Sequence, residues 1–358
     1  MNLHLIGGFL GSGKTTAIIH AAKFLLTQGH RVGIISNDQG RYLVDTAFFR
    51  SANLPTVEVT GGCFCCNYDN FETVIKQLEI AAQPDVIFAE SVGSCADIIA
   101  TVVKPLQAFS HLNMHVNSLS VFADCRLLRR RLSSQPLPFN DHVSYIFDKQ
   151  IEEAEWLVIN KIDLLPSHEA QDLCLQAQKQ FPSKRIFTQT SLTPAGVQPW
   201  VVSLSTATFC PGLSLNIDYD RYGAGEAALA WLNDEIDIQT TPGEGRQTII
   251  CFLETLLEGI EQKNATIGHL KAWIKADDCQ LKISVPTLEQ PNWQNDIPYF
   301  ESGRFTVLIN ARIQTSTEIL EELMAQSIEV VRWTTRAICT VEKSELFQPS
   351  YPKPRYQM

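Results

Sequence analysis

The 358-residue chain has no excess of positive charge, with 29 Lys and Arg against 39 Asp and Glu. The resulting formal net charge of −10 excludes the non-specific grip on nucleic acid that a basic face of phosphate contacts provides. No apolar run reaches the roughly 20 residues of a membrane span, so no membrane partner is expected. There is no internal repeat and no low-complexity segment. The N-terminus runs at once into an apolar strand, which leaves no place for an export signal. Ten cysteines in such a chain imply a reducing compartment, thiols rather than disulfides, and a cytoplasmic location.

The most informative stretch is Gly8-Phe9-Leu10-Gly11-Ser12-Gly13-Lys14-Thr15. It follows Leu3-His4-Leu5-Ile6 and precedes residues 17–26, whose apolar positions recur at helical spacing. A strand, a glycine-rich turn and a helix in this order form a phosphate loop. The glycines let backbone N–H groups converge on phosphate oxygens, and the helix N-terminus adds partial positive charge. Lys14 would reach the β- and γ-phosphates, and the Thr15 hydroxyl would ligate Mg²⁺.

Further short apolar strands are expected at 31–36, 56–60, 85–89, 118–123, 156–159 and 185–187, separated by helical patterns. The fold class is therefore α/β, a P-loop NTPase with a mostly parallel sheet covered by helices. A smaller α+β domain should follow it, with helices packed against one face of an antiparallel sheet. Boundaries are placed at 1–205 for the P-loop domain, 206–245 for a linker with a short helix around 226–232, 246–345 for the C-terminal domain and 346–358 for an extended tail. In that second domain a hairpin is expected at 265–274 and 280–285, with Asp277 and Asp278 in its turn, and a third strand at 305–309.

Nearly every polar motif falls just after a strand, where ligands bind in open α/β sheets. Asn160-Lys161-Ile162-Asp163 ends one strand. The Asp163 carboxylate can accept the N1–H and exocyclic amine of guanine, a donor pair adenine lacks, which would select GTP over ATP. The Lys161 stem can pack over the base, Asn160 can tie the loop to its neighbours, and Ser191 lies in the last guanine-side loop. Glu90 ends another strand and can hold the Mg²⁺ shell directly or through water, while Gly93 could donate its N–H to the γ-phosphate. With Lys14, Glu90 is the candidate catalytic group. Asp38 lies in a loop placed to sense the nucleotide.

Cys63-Phe64-Cys65-Cys66 follows a Gly-Gly turn. If residues 60–65 stay extended, Cys63 and Cys65 project to one side and Cys66 needs a bend to join them. Three soft thiolates suit Zn²⁺, Cu(I) or a similar thiophilic ion, with Asp38 available to complete the site. The other seven cysteines read as small core residues, although Cys95, just past Glu90, could reach the metal.

The run Gly7 to Thr16, then Gly62-Cys63-Phe64-Cys65-Cys66, then Asn160-Lys161-Ile162-Asp163 resembles the CobW-like GTPases, which are metal-handling P-loop proteins related to the urease and hydrogenase nickel-insertion GTPases. The resemblance covers about 200 residues and adds Thr16 to the phosphate-binding set. It implies low-turnover GTP hydrolysis coupled to binding of a transition metal and its transfer to a client metalloprotein. GTP, GDP, Mg²⁺ and Zn²⁺ would be the ligands, and a nucleotide-controlled homodimer is a further implied partner. Two segments depart from the family pattern, Asn37-Asp38-Gln39-Gly40 and the stretch Glu90 to Asp97, and the frequent histidine-rich segment is absent. The expectation is thus a GTPase metallochaperone. Its rivals are a GTP-binding metal sensor or store with little hydrolysis, and a P-loop kinase acting on a small molecule.

Overall fold

A computed structural model of the chain describes residues 1–358 except His111, Thr208, Cys210, Pro211, Leu213, Asp278 and 288–292. The chain divides into two compact units. The first comprises Met1–Gln39, Phe49–Gly225 and Tyr351–Met358, and the second Gly40–Phe48 and Glu226–Ser350.

The first unit is built on β1 (Asn2–Gly8), β2 (Val32–Asn37), β3 (Thr56–Val59), β4 (Val86–Glu90), β5 (His115–Asp124), β6 (Trp156–Asn160) and β7 (Arg185–Thr188). They form one sheet in the order β3-β2-β4-β1-β5-β6-β7, and every neighbouring pair is parallel. β2, β4 and β6 are buried along their whole length, which is why their sequences are continuous apolar runs rather than alternating ones. Helices α1 (Lys14–Thr27) and α3 (Tyr68–Ala82) follow β1 and β3, while α2 (Val44–Ser51), which follows β2, falls for the most part in the second unit. Trp200, wholly buried, packs edge-on against Phe122 and gives its indole N–H to Ser120 Oγ at 3.0 Å, so the core holds no unpaired indole there.

Register decides which residues meet at the carboxyl edge of this sheet. Ile6 pairs with Glu90, Ser36 with Glu90, Asn37 with Val59, and Asp124 with Asn160. The phosphate loop, Glu90, the loop after Val59 and the Asn160 loop therefore leave the sheet side by side.

The second unit is an antiparallel five-stranded sheet in the order β10-β9-β11-β8-β12. Its strands are β8 (Ala230–Gln239), β9 (Thr266–Lys275), β10 (Gln280–Pro286), β11 (Arg304–Gln314) and β12 (Ile338–Phe347). Helices Gly245–Gln262 and Thr317–Thr335 cover one face, where Leu253, Leu256 and Leu320 share a core with Val307, Ile309 and Ala311. Asn310 alternates with Ile309 and Ala311 and so faces the other way. Segment 40–48 of the same unit packs on that opposite face. Val44 N–H donates to Asn310 Oδ1 at 2.7 Å, and Asp45 pairs with Lys271 at 2.5 Å and Lys282 at 3.0 Å.

The helix expected around 226–232 is not there. A helix ends at Ala227, and Ala230 begins a strand buried between β11 and β12. The Glu226-Ala227-Ala228-Leu229-Ala230 run favours a helix locally, but pairing on both sides overrides that preference. The hairpin and third strand stand near their expected places, the Ala276 N–H bonding Cys279 O at 2.8 Å across the turn; Asp278 lies outside the described residues.

Candidate functional site

Gly8 is the last residue of β1, and Lys14, Thr15 and Thr16 open α1. Gly13 caps that helix at φ 91°, and as a glycine it makes no side-chain cap hydrogen bond. A Cβ on Gly13 would meet Asn160 Nδ2 at 2.4 Å, so both the backbone conformation and the close approach require glycine there. Gly11 and Ser12 form the turn. Ser12 Oγ is buried with no hydrogen-bond partner among the described residues. Buried Lys14 gives its ammonium to Gly8 O at 2.6 Å. A helix N-terminus, a buried hydroxyl and an ammonium converge here, and this donor set fits a polyphosphate. Thr15 Oγ1 donates to Glu90 Oε1 at 2.9 Å, so the two residues expected at Mg²⁺ are in direct contact. A Cβ on Gly93 would lie 3.1 Å from both Leu10 N and Leu10 Cα, which places the loop after β4 against the phosphate loop.

Asn160 links three loops. Its Nδ2 donates to Ser12 O at 2.8 Å and its Oδ1 accepts from Ser191 Oγ at 2.8 Å. Lys161 holds a left-handed φ of 64°, with Nζ 3.2 Å from the buried Asp124 carboxylate. Burial lowers the Lys161 pKa, and Asp124 works against that shift. Asp163 sits exposed in the short 3₁₀ turn Ile162–Leu164, its carboxylate open to a ligand.

The cysteine loop does not stay extended. Residues 64–67 turn, with Asn67 N–H on Cys63 O at 2.9 Å, and lead into α3. The turn brings Cys66 round to its neighbours, and the three sulfurs lie within 4.8 Å of one another. Phe64 is buried and stacks on Phe71 at 4.1 Å, fixing the loop from behind. The Cys65–Cys66 separation of 3.8 Å is that of two thiolates on one tetrahedral zinc, about 3.8 Å for Zn–S bonds near 2.3 Å. Cys63 and Cys65 are closer, at 2.8 Å, and would part by about 1 Å around such an ion. Hydrogen bonds from Cys65, Cys66 and Cys95 hold the Cys63 thiol well below its usual range. Cys65 is pushed up and Cys66 rises to about 12, chiefly through hydrogen bonding to Cys63, with burial adding to both. Three sulfurs this close form a donor set suited to a soft cation.

Asp38 is not in this cluster; its N–H follows the β2–β3 ladder, bonding Val59 O at 3.3 Å. The residue beside it carries the connection. Asn37 Nδ2 donates to Val59 O at 2.9 Å and Gly62 O at 2.8 Å, and Asn37 Oδ1 accepts from Phe64 N–H at 3.0 Å. Sequence reasoning passed over Asn37, although a buried asparagine closing a strand is the available signal. It also treated the tail as simply extended. Arg355 N–H donates to Cys65 O at 2.8 Å, and Tyr356 packs edge-on against Tyr68. Of the remaining thiols, Cys95, Cys125 and Cys339 are buried, Cys174, Cys251 and Cys279 are half-buried, and Cys210 lies outside the described residues. No helix among the described residues is long and apolar enough to cross a membrane.

Residues 2–189 match the family model described as CobW/HypB/UreG, nucleotide-binding domain. Among curated proteins, the chain is 28% identical over 186 residues to "Zinc chaperone CobW" of a Sinorhizobium species, covering 45% of this chain and 51% of that one. It is 28% identical over 167 residues to "Zinc chaperone YeiR" of Escherichia coli K12, covering 45% and 46%. The match thus spans about half the length of these relatives. Among solved structures, HypB from Helicobacter pylori in complex with nickel aligns at 14% identity and TM-score 0.43, over 59% of this chain and 91% of that one. Zn(II)-bound YjiA GTPase from Escherichia coli aligns at 12% identity and TM-score 0.38, over 91% and 98%.

Proposed function

The chain belongs to the CobW/HypB/UreG nucleotide-binding family, and on that premise we propose that it is a GTP-hydrolysing metallochaperone. Its cargo is a zinc ion or another thiophilic ion held by Cys63, Cys65 and Cys66, destined for a client metalloprotein in the cytoplasm. The observation that carries this reading is the three-bond clamp of Asn37 on the cysteine loop. One side chain at the end of β2, next to the Ser36 that pairs with Glu90, fastens the cysteine loop to the edge that holds the phosphate loop. The curated relatives bear the name zinc chaperone, which supports zinc as the cargo.

In this reading the backbone of residues 11–14 and the Lys14 ammonium bind the phosphates, and Asp163 reads guanine. Thr15 and Glu90 would hold a Mg²⁺ ion, which would supply positive charge against the phosphates. Gly93, seated against Leu10, gives its N–H to the γ-phosphate, so loss of that phosphate frees the 90–97 loop. Residues 40–48 continue directly from the Asp38 loop and are anchored in the second unit through Asp45, Lys271 and Lys282. Movement at Asp38 is therefore passed along the chain to that unit, where a client or a second copy would sense it.

The test is a zinc titration by competition with a chromophoric chelator, run with GDP and again with a non-hydrolysable GTP analogue, alongside single-turnover hydrolysis of GTP. A chaperone shows one tight site per chain, lost in Cys65→Ser, whose affinity differs about five- to 150-fold between nucleotide states. Equal affinity in both states would leave a GTPase that merely binds metal. Tight, nucleotide-sensitive binding without hydrolysis would make the protein a sensor.

A further inference from the structure

Residues Tyr351–Met358 belong to the first unit, although they follow the second in sequence. Their near end is seated on Asp220 and Gly223. A Cβ on Gly223 would meet Tyr351 Cδ2 at 2.8 Å and Pro352 Cδ at 3.3 Å, and Tyr351 Oη donates to Asp220 Oδ1 at 3.2 Å. Pro352 and Pro354 restrict the unfolded segment, so holding it in one conformation costs less entropy.

Beyond Pro354 the chain crosses from one loop to another. Arg355 N–H donates to Cys65 O at 2.8 Å, in the cysteine loop. Tyr356 packs edge-on against Tyr68, the first residue of α3, and meets Phe109 with ring centroids 5.2 Å apart. Gln357 Nε2 then donates to Asp97 Oδ2 at 3.4 Å, and Met358 N–H donates to Ala100 O at 3.0 Å. Asp97 is itself fixed, buried and accepting the Tyr219 hydroxyl at 2.7 Å. The exposed Arg355–Asp69 pair, at 3.6 Å, adds little. Resting on the metal-site reading above, we propose that Arg355–Met358 is a strap that ties the cysteine loop to the 97–100 turn and holds that loop closed, so that release of the ion waits on the strap lifting.

The two anchors of the strap belong to different parts of the proposed cycle. Cys65 is a metal ligand in that reading. Asp97 ends the loop that begins at Glu90 and contains Gly93, the groups assigned to Mg²⁺ and the γ-phosphate. Movement of that loop displaces Gln357 and Met358, and through them the hold of Arg355 on Cys65 O. The strap is built to open. Tyr356 is only half-buried, and Arg355, Gln357 and Met358 are exposed. A segment with so few buried contacts opens far more readily than the sheet beneath it.

The test compares the full chain with Tyr356→Ala and with a form lacking residues 355–358, which keeps Pro352 seated on Gly223. One readout is alkylation of Cys65 by iodoacetamide in the zinc-free protein, resolved by peptide mass spectrometry, with buried Cys125 as the internal control. The other is the rate of zinc release to excess chromophoric chelator. In both variants Cys65 should alkylate, and zinc should leave, about tenfold faster, the effect of losing roughly one good aromatic pair. Cys125 labelling and GTP affinity should stay at the wild-type level. Unchanged Cys65 labelling and zinc release in both variants would overturn the proposal. So would Arg355 and Met358 amides in the wild type that exchange hydrogen as fast as in an unstructured peptide, whether or not either variant folds. Faster Cys65 labelling in a protein that binds no zinc would support the strap and remove the metal-site reading.

Discussion

Thr15 and Glu90, 75 residues apart in sequence, meet through a 2.9 Å hydrogen bond from Oγ1 to Oε1. Each is a sensible Mg²⁺ group alone. Their contact shows that the helix start and the end of β4 present oxygens to one point, as the Ile6–Glu90 register requires. A divalent ion there would draw on both oxygens.

Glu90→Gln keeps an oxygen for the Thr15 hydroxyl but removes the charge. Nucleotide binding should survive, while the single-turnover hydrolysis rate should fall by about 10² or more, the loss typical when one group stabilising transition-state charge is removed. The apparent Mg²⁺ requirement should rise. Phosphate release measured across a Mg²⁺ series checks both, and an unchanged rate would remove Glu90 from the catalytic set.

Asn160 joins the two halves of the nucleotide site through Ser12 O and Ser191 Oγ. Asn160→Ala should weaken GTP and GDP alike by about 2–3 kcal/mol, since buried partners on both sides are left unsatisfied. Asp163→Asn should weaken GTP by about 1–3 kcal/mol and favour xanthosine triphosphate, because only the base contact changes. Calorimetry with GTP, GDP, ATP and xanthosine triphosphate separates the two effects. Equal ATP and GTP affinity in the wild type would refute the guanine assignment.

Asn37→Ala deletes three hydrogen bonds to the cysteine loop without touching a sulfur. Zinc affinity should drop about 10- to 100-fold, as for loss of a group that orients metal ligands. The sulfur count should stay as in wild type, and the nucleotide dependence of zinc binding should shrink. A variant with wild-type affinity in both nucleotide states would show that the clamp plays no part in coupling.

What the sequence disclosed and what it hid have a common physical cause. The phosphate loop and the Asn160–Asp163 loop are contiguous runs whose residues act on a ligand together, so their chemistry can be read before folding. Strand ends carrying Glu90 and the cysteines were legible because apolar runs stop there. Asn37 and the tail contact at Arg355 act only through partners that folding brings from far along the chain. β8 was misread because alanine and leucine carry a helical preference that two flanking strands override. Segment 40–48 reads as a loop, and nothing local foretells that Asp45 pairs with Lys271 and Lys282.

Glu153 gives the fold a pH dependence of definite sign. Its carboxylate is buried at the end of the helix Asp141–Glu153 and accepts the Ile99 N–H at 2.5 Å, capping the turn that follows the 90–97 loop. Burial pushes its pKa to about 7, against the backbone N–H groups of Ile99 and Ile98 and with some help from Asp97. The unfolded carboxyl titrates near 4.5. Between those values the folded chain binds more protons than the unfolded one, so stability falls as pH rises through the window and is level on either side. The loss amounts to roughly 3 kcal/mol for a shift of this size. Glu155, also raised to about 7 by burial, contributes with the same sign but less, because it is only half-buried and solvent screens it. Glu153→Gln keeps an acceptor for the Ile99 N–H and cannot ionise. Denaturant unfolding followed from pH 4.5 to 7.5 should show a slope in the wild type that is reduced by more than half in the variant, with the variant the more stable protein at pH 7.5. Parallel wild-type and variant curves would mean that Glu153 ionises in the fold at its ordinary pKa, and that the buried carboxylate is not held protonated beside the 90–97 loop.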